Sequence, residues 1–307
     1  MKELIVLTHN DLDALGCMLN LEYKTPSTPK KYFHTNYGNI DKIVNDILEY
    51  QKINSNTTII IPDVSFSDNK ESLRKLYTAF QKCIHIDHHM YPDGFWDEFP
   101  DMIVQWDKTK SATKICNEYF QNTGKVKNLD SLTTIIDVYD IWQKNDPLFA
   151  FAQDLNEYFW HELKSQSIEF LMNRIVENNY SLPNNFKEVV SNIKNEYNAK
   201  IQEYEKKGSI HRSGEITLCF IEEWFNQVML DEHSKGVNFV VGINNYGITR
   251  IRVNQDSPYT EEQLNGIRFD LTGNAEYGHL HAFTYKTDGC IIDEAKRVTS
   301  AIIKNCS

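Results

Sequence analysis

The chain has 307 residues, of which 41% are hydrophobic and 24% charged, and its formal net charge at pH 7 is −11. This length predicts a folded protein of two domains, and the lack of an 18-residue apolar run argues against a helical membrane span. The acidic balance argues against binding of long duplex nucleic acid, which prefers a basic surface, and favours a small phosphorylated partner.

The first half of the chain alternates short apolar runs with amphipathic segments. The predicted strands are Leu4–Thr8, Lys31–His34, Thr58–Ile61, Cys83–Ile86 and Ile103–Trp106. The predicted helices are one opening near Asp13, Ile40–Gln51, Glu71–Phe80, Ser111–Gln121 and Leu129–Trp142. This order predicts a parallel sheet with helices on both of its faces.

The second half begins with a helical and charged region from Phe149 to Lys207, which includes a long connecting helix predicted at Lys187–Lys207. The later predicted elements are strands at Ile216–Ile221, Val237–Ile243, Ile248–Val253 and His281–Tyr285, a hairpin turn at Asn244–Gly247 and a final helix at Ile291–Lys304. The predicted fold is α/β, with a parallel-sheet domain at residues 1–180, a helical linker at 181–207 and a smaller mixed α/β domain at 208–307.

Cysteine usage and the first residues predict the compartment. The six cysteines show no Cys-x-x-Cys spacing, which favours free thiols in a reducing cytosol over a zinc ribbon. The apolar stretch at the start carries no cleavage site for a signal peptide and predicts a strand. We therefore expect a cytoplasmic protein that does not associate with membranes.

Carboxylates and imidazoles gather where the predicted strands end. The clusters are His9, Asp11 and Asp13 after the first strand, Asp63 after the third, Asp87-His88-His89 after the fourth, and Asp137 with Asp140 on a predicted helix. Open α/β sheets bind ligands at the carboxyl ends of their strands. Asp and His without Cys suit a divalent ion such as Mn²⁺, Mg²⁺ or Zn²⁺. The pattern predicts a two-metal phosphoesterase.

Simpler roles are open for several of these carboxylates. Asp11 or Asp13 alone can cap the following helix, and Asp63 can end a turn. Beside the first cluster, however, Asp63 can bridge two ions, because each of its oxygens can bind a separate metal. Asp137 and Asp140 lie three residues apart and can face the same way. One of them can complete the second ion site, while the other is a cap or an ion-pair residue.

The Asp87-His88-His89 sequence is the most specific element. One imidazole can bind a metal ion, with Asp87 holding it in the required tautomer, while the other faces a substrate phosphate. His85, inside the preceding strand, is expected to be structural.

Together these motifs, which cover residues 1–145, resemble those of the DHH phosphoesterase superfamily. The compact His9-Asn-Asp11-Leu-Asp13-Ala-Leu-Gly16 motif and the Tyr139-Asp140-Ile-Trp142 ending are most similar to its oligoribonuclease (nanoRNase) branch, which includes proteins described as cyclic-nucleotide phosphodiesterases. The resemblance implies two divalent ions, usually Mn²⁺, with Mg²⁺ or Co²⁺ as alternatives.

The resemblance also implies a role for each residue of the motifs. The implied metal ligands are His9 and Asp11 for the first ion, Asp63 as the bridge, and Asp13, His88 and Asp137 or Asp140 for the second ion. The implied catalytic residues are Asp63, His88 and His89, and His89 would contact the scissile phosphate.

The stretch Gly273-Asn-Ala-Glu-Tyr-Gly278-His279-Leu-His281 in the C-terminal part resembles the glycine-rich stretch ending in His of the DHHA1 module, which holds the far end of the substrate. The expected substrate-binding residues are His89, Arg250, Arg252, Gly278, His279 and His281. Arg side chains match phosphate geometry with two parallel hydrogen bonds. The alternative is a strand with two solvated arginines and an ordinary histidine pair.

The resulting hypothesis is metal-dependent hydrolysis of short oligoribonucleotides or dinucleotides to mononucleotides, at a cleft between the two domains. Enzymatic alternatives are a cyclic mono- or dinucleotide phosphodiesterase and a 3′-phosphoadenosine phosphate phosphatase. An alternative of another class is a non-catalytic protein that sequesters a nucleotide. The protein is expected to be a monomer or a homodimer, and its partner a short oligonucleotide or nucleotide.

Overall fold

The computed structural model describes residues 3–36, 38–50, 57–207, 210–214, 216–221, 237–244, 246–254, 257–274, 282–287 and 290–306. The chain divides into two compact units, Met1–Ile193 and Lys194–Ser307. Among the described residues, no helix is both long enough and apolar enough to cross a membrane.

The first unit is built on a five-stranded parallel sheet. Its strands are β1 (Leu4–Thr8), β2 (Lys30–His34), β3 (Thr58–Pro62), β4 (Lys82–Asp87) and β5 (Ile103–Trp106). They lie in the order β2-β1-β3-β4-β5, and every neighbouring pair is parallel. β2 therefore lies on one side of β1, and the later strands lie on the other side. The switch point between β1 and β3 opens a crevice at the carboxyl ends of the strands. The predicted parallel sheet is confirmed.

Helices cover both faces of this sheet. They are α1 (Leu12–Lys24), α2 (Ile40–Glu49), α3 (Lys70–Ala79), α4 (Ala112–Tyr119), α5 (Lys127–Asp140), α6 (Phe149–Glu162) and α7 (Ile168–Glu177). Ile5 and Leu7 of β1 pack with buried residues of α2 and α3 on one face. Val6 points to the other face, where α1 and α4 pack. Because side chains alternate along a strand, one apolar strand fills both layers. Buried residues of α5, α6 and α7 pack against α1.

A helix of 21 residues, α8 (Phe186–Lys206), contains the boundary between the two units. Phe186 and Val190 near its start belong to a core cluster of the first unit. Tyr204 near its end packs with Val237 and Val240 in the second unit. The long helix predicted at this place is confirmed.

The second unit contains a mixed five-stranded sheet. Its strands are β6 (Ile210–Ser213), β7 (Ile216–Ile221), β8 (Phe239–Asn244), β9 (Ile248–Val253) and β10 (Ala282–Lys286), in the order β10-β9-β8-β7-β6. β7 and β8 pair in parallel, and the other neighbours pair antiparallel. Two helices, α9 (Glu261–Thr272) and α10 (Ile291–Cys306), pack on Phe239, Val241 and Ile251. The predicted mixed α/β architecture is confirmed.

The hairpin turn predicted from Asn244 and Gly247 joins β8 and β9. Asn244 Oδ1 accepts hydrogen bonds from the backbone N–H groups of Tyr246 and Ile248, each at 3.0 Å. Gly247 has φ +70°, and a Cβ there would lie 2.6 Å from the carbonyl oxygen of Thr287. Both its backbone conformation and its neighbour therefore require glycine.

Two elements of the second unit, β6 and α9, were not predicted from the sequence. β6 has only four residues and carries His211 and Arg212, so it lacks an apolar run. α9 contains Gly266, which is unfavourable in a helix interior, and its side-chain space is occupied by Asn305. The strand predicted at residues 281–285 corresponds to β10, and His281 itself lies outside the described residues.

Candidate metal centre

Polar side chains from four segments meet at the carboxyl edge of the parallel sheet. The segment after β1 carries His9 and Asp11, Asp63 follows β3, and His88 follows β4. The last turn of α5 contributes Asp140. The cluster therefore lies at the β1–β3 switch point, where the topology opens a crevice.

Nitrogen and oxygen atoms of these residues form three overlapping sets, in each of which the ligand atoms lie within 4.8 Å of one another. The sets are His9, Asp11 and Asp63; Asp13, His88 and Asp140; and Asp63, Asp87, His88 and His89. Asp63 and His88 each belong to two sets, and Asp63 Oδ1 lies 3.6 Å from His88 Nε2. Shared ligands of this kind are what a centre for two neighbouring ions requires.

Asp11 contacts two neighbours at once. Its Oδ1 accepts a hydrogen bond from the backbone N–H of Ala14 at 3.0 Å and so caps α1. Its Oδ2 accepts a hydrogen bond from Nδ1 of His9 at 2.7 Å. Burial acts to raise the pKa of Asp11, but the hydrogen bond and charge of His9 outweigh it and lower the pKa to about 2. Helix capping and membership of the ligand cluster are therefore combined in this residue.

Asp13 is buried and held by the start of α4. Its Oδ2 accepts a hydrogen bond from the backbone N–H of Ala112, and its Oδ1 accepts one from Thr113, each at 2.8 Å. These N–H groups have no partner inside the helix, and the helix dipole favours a carboxylate beside them. Burial raises the pKa of Asp13, and the neighbouring charge of Asp11 adds to this, although His88 acts in the opposite direction. The orientation of Asp13 is thus fixed by α4.

Asp63 has an unusual backbone conformation and a buried side chain. Its φ is +57°, in the left-handed region that Asp tolerates better than most residues. Its backbone N–H donates to the carbonyl oxygen of Ile86 at 2.9 Å, which ties it to β4. Its Oδ2 is buried and has no hydrogen-bond partner. Burial, together with the charges of Asp11 and Asp13, raises the pKa of Asp63 well above its ordinary value.

The two aspartates of α5 have different surroundings. Asp137 Oδ1 accepts a hydrogen bond from the backbone N–H of Ser111, the N-cap of α4, at 2.7 Å. Asp140 Oδ2 lies 3.4 Å from His88 Nε2 and is buried without a hydrogen bond. Burial and the charges of Asp13 and Asp11 raise the pKa of Asp140 well above its ordinary value. The structure thus brings Asp140 into the ligand cluster and places Asp137 at the start of α4.

His89 is held by the buried Asp87, which is held in turn by the partly buried Tyr91. Its Nδ1 donates a hydrogen bond to Asp87 Oδ1 at 2.7 Å, and the hydroxyl of Tyr91 donates to Asp87 Oδ2. Burial acts to lower the pKa of His89, but the charge of Asp87 outweighs it and raises the pKa. Asp87 is therefore the partner of His89, whereas His88 faces the carboxylates of Asp13, Asp63 and Asp140.

His85 has the surroundings of a structural residue. It is fully buried, its Nε2 donates to the carbonyl oxygen of Val64 at 3.0 Å, and its ring contacts those of Phe66, Tyr91 and Trp96. Burial lowers its pKa, which favours the neutral imidazole.

The residues of the cluster fit divalent metal ions. Asp63 and Asp140 each bury a carboxylate oxygen that has no hydrogen-bond donor. Burying such an oxygen unpaired is costly, and a bound cation would remove the cost. Burial and the charges of neighbouring carboxylates raise the pKa values of Asp13, Asp63 and Asp140, and a bound cation would counteract this rise. The donors are oxygen and nitrogen atoms without sulfur, which suits Mn²⁺ or Mg²⁺.

One residue beside the cluster that the sequence did not indicate is His34, at the end of β2. Its Nδ1 lies 3.3 Å from the carbonyl oxygen of His9, and its Nε2 lies 2.9 Å from Glu169 Oε1. The hydrogen bond from His34 lowers the pKa of Glu169 to about 2. Its position at the carboxyl end of a predicted strand was the signal that could have identified it.

The expected substrate-binding residues of the second unit are described only in part. Arg250 and Arg252 lie on one face of β9, and Ile251 and Val253 on the opposite face are buried in the core. Gly242 of β8 is the cross-strand neighbour of Arg250. Burial lowers the pKa of Arg250. The remaining expected residues, Gly278, His279 and His281, lie outside the described residues.

Comparison with known proteins identifies similar folds at low sequence identity. No protein-family model matches the chain, and no curated protein matches it. RecJ of Thermus thermophilus in complex with Mn²⁺ aligns with 99% of this chain and 52% of its own, at 13% identity and a TM-score of 0.67. The pGpG-specific phosphodiesterase PggH of Vibrio cholerae aligns over 99% of both chains, at 14% identity and a TM-score of 0.60.

A further structure, exonuclease RecJ bound to manganese, aligns with 99% of this chain and 90% of its own, at 11% identity and a TM-score of 0.56. The chain spans about half the length of the Thermus RecJ and nearly the full length of PggH. The α/β fold expected from the sequence is therefore shared with RecJ and with PggH.

Proposed function

We propose that this protein is a divalent-metal-dependent phosphoesterase of the DHH superfamily, which hydrolyses phosphodiester bonds of short oligoribonucleotides and dinucleotides to mononucleotides. The observation that carries the proposal is the overlap of three ligand sets at Asp63 and His88. The folds shared with RecJ and with PggH support phosphoesterase chemistry. PggH, whose chain is covered almost completely, is specific for pGpG, and this supports a short substrate.

Mn²⁺ is the proposed ion, with Mg²⁺ or Co²⁺ as alternatives. Carboxylate and imidazole donors without thiolate suit these ions. Similar structures of RecJ hold Mn²⁺ or Mg²⁺. When bound, such ions supply an activated water molecule at neutral pH and stabilise charge on phosphoryl oxygens. His9, Asp11 and Asp63 would hold one ion, and Asp13, His88 and Asp140 the other, with Asp63 as the bridge.

His89 is proposed to contact the scissile phosphate. The hydrogen bond from its Nδ1 to Asp87 fixes the ring, and the raised pKa favours the protonated imidazole. A protonated imidazole with one nitrogen held by Asp87 can donate from the other nitrogen to a phosphoryl oxygen. Tyr91 in turn holds Asp87, so the position of His89 depends on a chain of two hydrogen bonds.

The substrate phosphate remote from the metal centre is proposed to bind in the second unit. Arg250 and Arg252 lie on one face of β9 and present guanidinium groups of the kind that bind phosphate. The roles expected for Gly278, His279 and His281 remain predictions. We expect Arg252→Ala to raise the KM for pApA more than it lowers kcat, which steady-state kinetics would test.

The test of the function is hydrolysis of a substrate panel. The substrates are pApA, pGpG, a five-nucleotide RNA, cyclic mono- and dinucleotides, 3′-phosphoadenosine 5′-phosphate and pyrophosphate, each with Mn²⁺ and with chelator. We expect Mn²⁺-dependent release of mononucleotides from the linear substrates. Asp63→Asn is expected to lower kcat at least about a hundredfold, the usual size for loss of one electrostatic group at a reacting centre. Asp46→Asn, in an exposed ion pair on α2, is the matched control.

The other outcomes separate the alternatives. Cleavage of cyclic substrates alone would assign the protein to turnover of cyclic nucleotides. Release of phosphate from 3′-phosphoadenosine 5′-phosphate alone would make it a phosphatase. Tight nucleotide binding without turnover would favour a sequestering protein. Full activity of Asp63→Asn would remove the bridging role of that carboxylate.

A further inference from the structure

We propose that the indole ring of Trp106 is a stacking surface for a nucleobase of the substrate, whose phosphate binds beside His89. This inference rests on the proposed function and adds to it a named contact for the base. It is carried by the position, the anchoring and the exposure of Trp106, which is outside all three ligand sets.

Trp106 lies next to the segment after β4 that carries His88 and His89. It is the last residue of β5, the edge strand, and its cross-strand neighbour on β4 is Asp87. Its indole Nε1 donates a hydrogen bond to the carbonyl oxygen of His89 at 2.6 Å. The ring is therefore fixed against the backbone of the residue that is proposed to contact the phosphate.

The exposed part of this ring is apolar. Trp106 is 42% exposed, although the only polar atom of its side chain is already used in the hydrogen bond to His89. Met90, the residue after His89, is 65% exposed. A single exposed apolar residue is common on a protein surface, so what distinguishes Trp106 is its position, hydrogen-bonded to the backbone of the residue that is proposed to contact the phosphate.

A nucleobase is the ligand that matches this surface. One ribose joins a base to its phosphate, so a phosphate beside His89 keeps its base close to the neighbouring surface. A planar, anchored indole offers a face on which any base can stack, and Nε1, which donates to His89, is not available for reading base edges. The contact is therefore expected to contribute affinity with little preference among bases.

The test compares binding of AMP and of ribose 5-phosphate in the presence of Mn²⁺, measured by isothermal titration calorimetry on the full chain. Trp106→Ala is expected to weaken AMP binding at least about fivefold, the lower end for loss of one stacked base. Binding of ribose 5-phosphate, which lacks a base, is expected to change less than about twofold. Trp106→Phe keeps an aromatic face without the N–H donor and is expected to retain most of the AMP affinity.

Trp160 on α6 provides the matched control, because it is 44% exposed and its described ring contact is with Phe159. Trp160→Ala is expected to bind both ligands as the wild type does. Unchanged AMP affinity in Trp106→Ala, or the absence of AMP binding by the wild type, would overturn the inference. If both Trp106 variants lose the same factor of affinity for AMP and for ribose 5-phosphate, the residue only holds the backbone of His89 and does not stack on the base. Failure of the proposed function is distinguishable, since it is read from hydrolysis of pApA and not from AMP binding.

Discussion

Asp63 combines a backbone conformation and a charge that few residues can replace. Its φ of +57° costs an alanine about 1–2 kcal/mol, whereas asparagine tolerates the left-handed region. Asparagine also keeps the size of the side chain and removes its charge. Asp63→Asn therefore tests the charge of the carboxylate and leaves the turn after β3 undisturbed. Asp63→Ala would remove the charge and strain the turn as well.

The raised pKa of Asp63 predicts that Asp63→Asn stabilises the metal-free protein. Below the unfolded pKa of about 3.9 the carboxyl is protonated in both states, so it imposes no penalty. As the pH rises towards the higher folded pKa, only the unfolded state ionises freely, and the wild type loses stability. With chelator at pH 8, we expect the variant to have the larger free energy of unfolding of the two proteins.

Urea denaturation at pH 4 and pH 8 measures this difference, which is expected to shrink at the lower pH. Asp46→Asn is the control, because that exposed carboxylate contributes little to stability. Adding Mn²⁺ is expected to stabilise the wild type, since an ion stabilises the state that binds it. The wild type is then expected to have a higher free energy of unfolding than Asp63→Asn. If the metal-free variant is less stable than the wild type at pH 8, the claim that the buried charge of Asp63 destabilises the metal-free protein is wrong.

At the scale of elements, Gly16 allows α1 and α4 to approach closely. A Cβ at this position would lie 2.0 Å from Thr113 Oγ1 and 2.9 Å from Ile136 Cδ1. Thr113 Oγ1 also donates to the carbonyl oxygen of Asp13 at 2.8 Å. Gly16, the glycine that ends the first motif, is therefore needed for the packing of helices beside the candidate metal centre.

Gly16→Ala is expected to lower the free energy of unfolding by about 1–3 kcal/mol, the usual cost of overpacking. Denaturation with urea measures it, and the double variant with Thr113→Ala is the control. Because the second substitution removes the clash with Thr113 and leaves only the contact with Ile136, the double variant is expected to lose less stability than the sum of the two single variants. Additive losses would indicate that Thr113 does not limit the approach.

The sequence predicts those elements whose signal is local. Apolar runs that end in carboxylates identified β1, β3 and β4, and the helical pattern identified α8. It did not identify α9, although Thr260 and Gln263 form a capping box; the interior Gly266 weakens the local helical signal. Gly266 is explained by Asn305, which approaches from α10, and such a distant partner leaves no local signal.

The same limit applies to the candidate site. The sequence predicts three of the ligand clusters because each follows a strand of one parallel sheet, whereas the fourth, Asp137 with Asp140, lies on α5. It could not distinguish Asp137 from Asp140, which lie on the same side of α5. The distinction arises from the N-terminus of α4, where the backbone of Ser111 donates to Asp137. Likewise, a buried network of Asn20, Asn117 and Asn122 joins residues that are distant in sequence.

At the scale of the whole molecule, the net charge of −11 limits which nucleic acids can bind. Long duplexes bind mainly through lysine and arginine contacts to phosphates, and each contact releases counterions. A short substrate needs few such contacts, because bound ions and Trp106 would supply the interactions that a basic surface otherwise provides. The proposed chemistry and the acidic composition are therefore consistent with each other.

This balance predicts a weak dependence of activity on salt. Between about 50 and 200 mM salt, proteins with six to ten phosphate contacts lose about 10³–10⁵ in affinity. For pApA we expect the KM to change less than about tenfold over this range, because few phosphates are engaged. A long RNA duplex in excess is expected not to inhibit hydrolysis of pApA even at the lower salt concentration. Steady-state kinetics with and without the duplex measure both effects.

Strong inhibition by the duplex that decreases steeply as the salt concentration rises would instead indicate a basic groove on the protein. That result would extend the proposed substrates from short fragments to long chains.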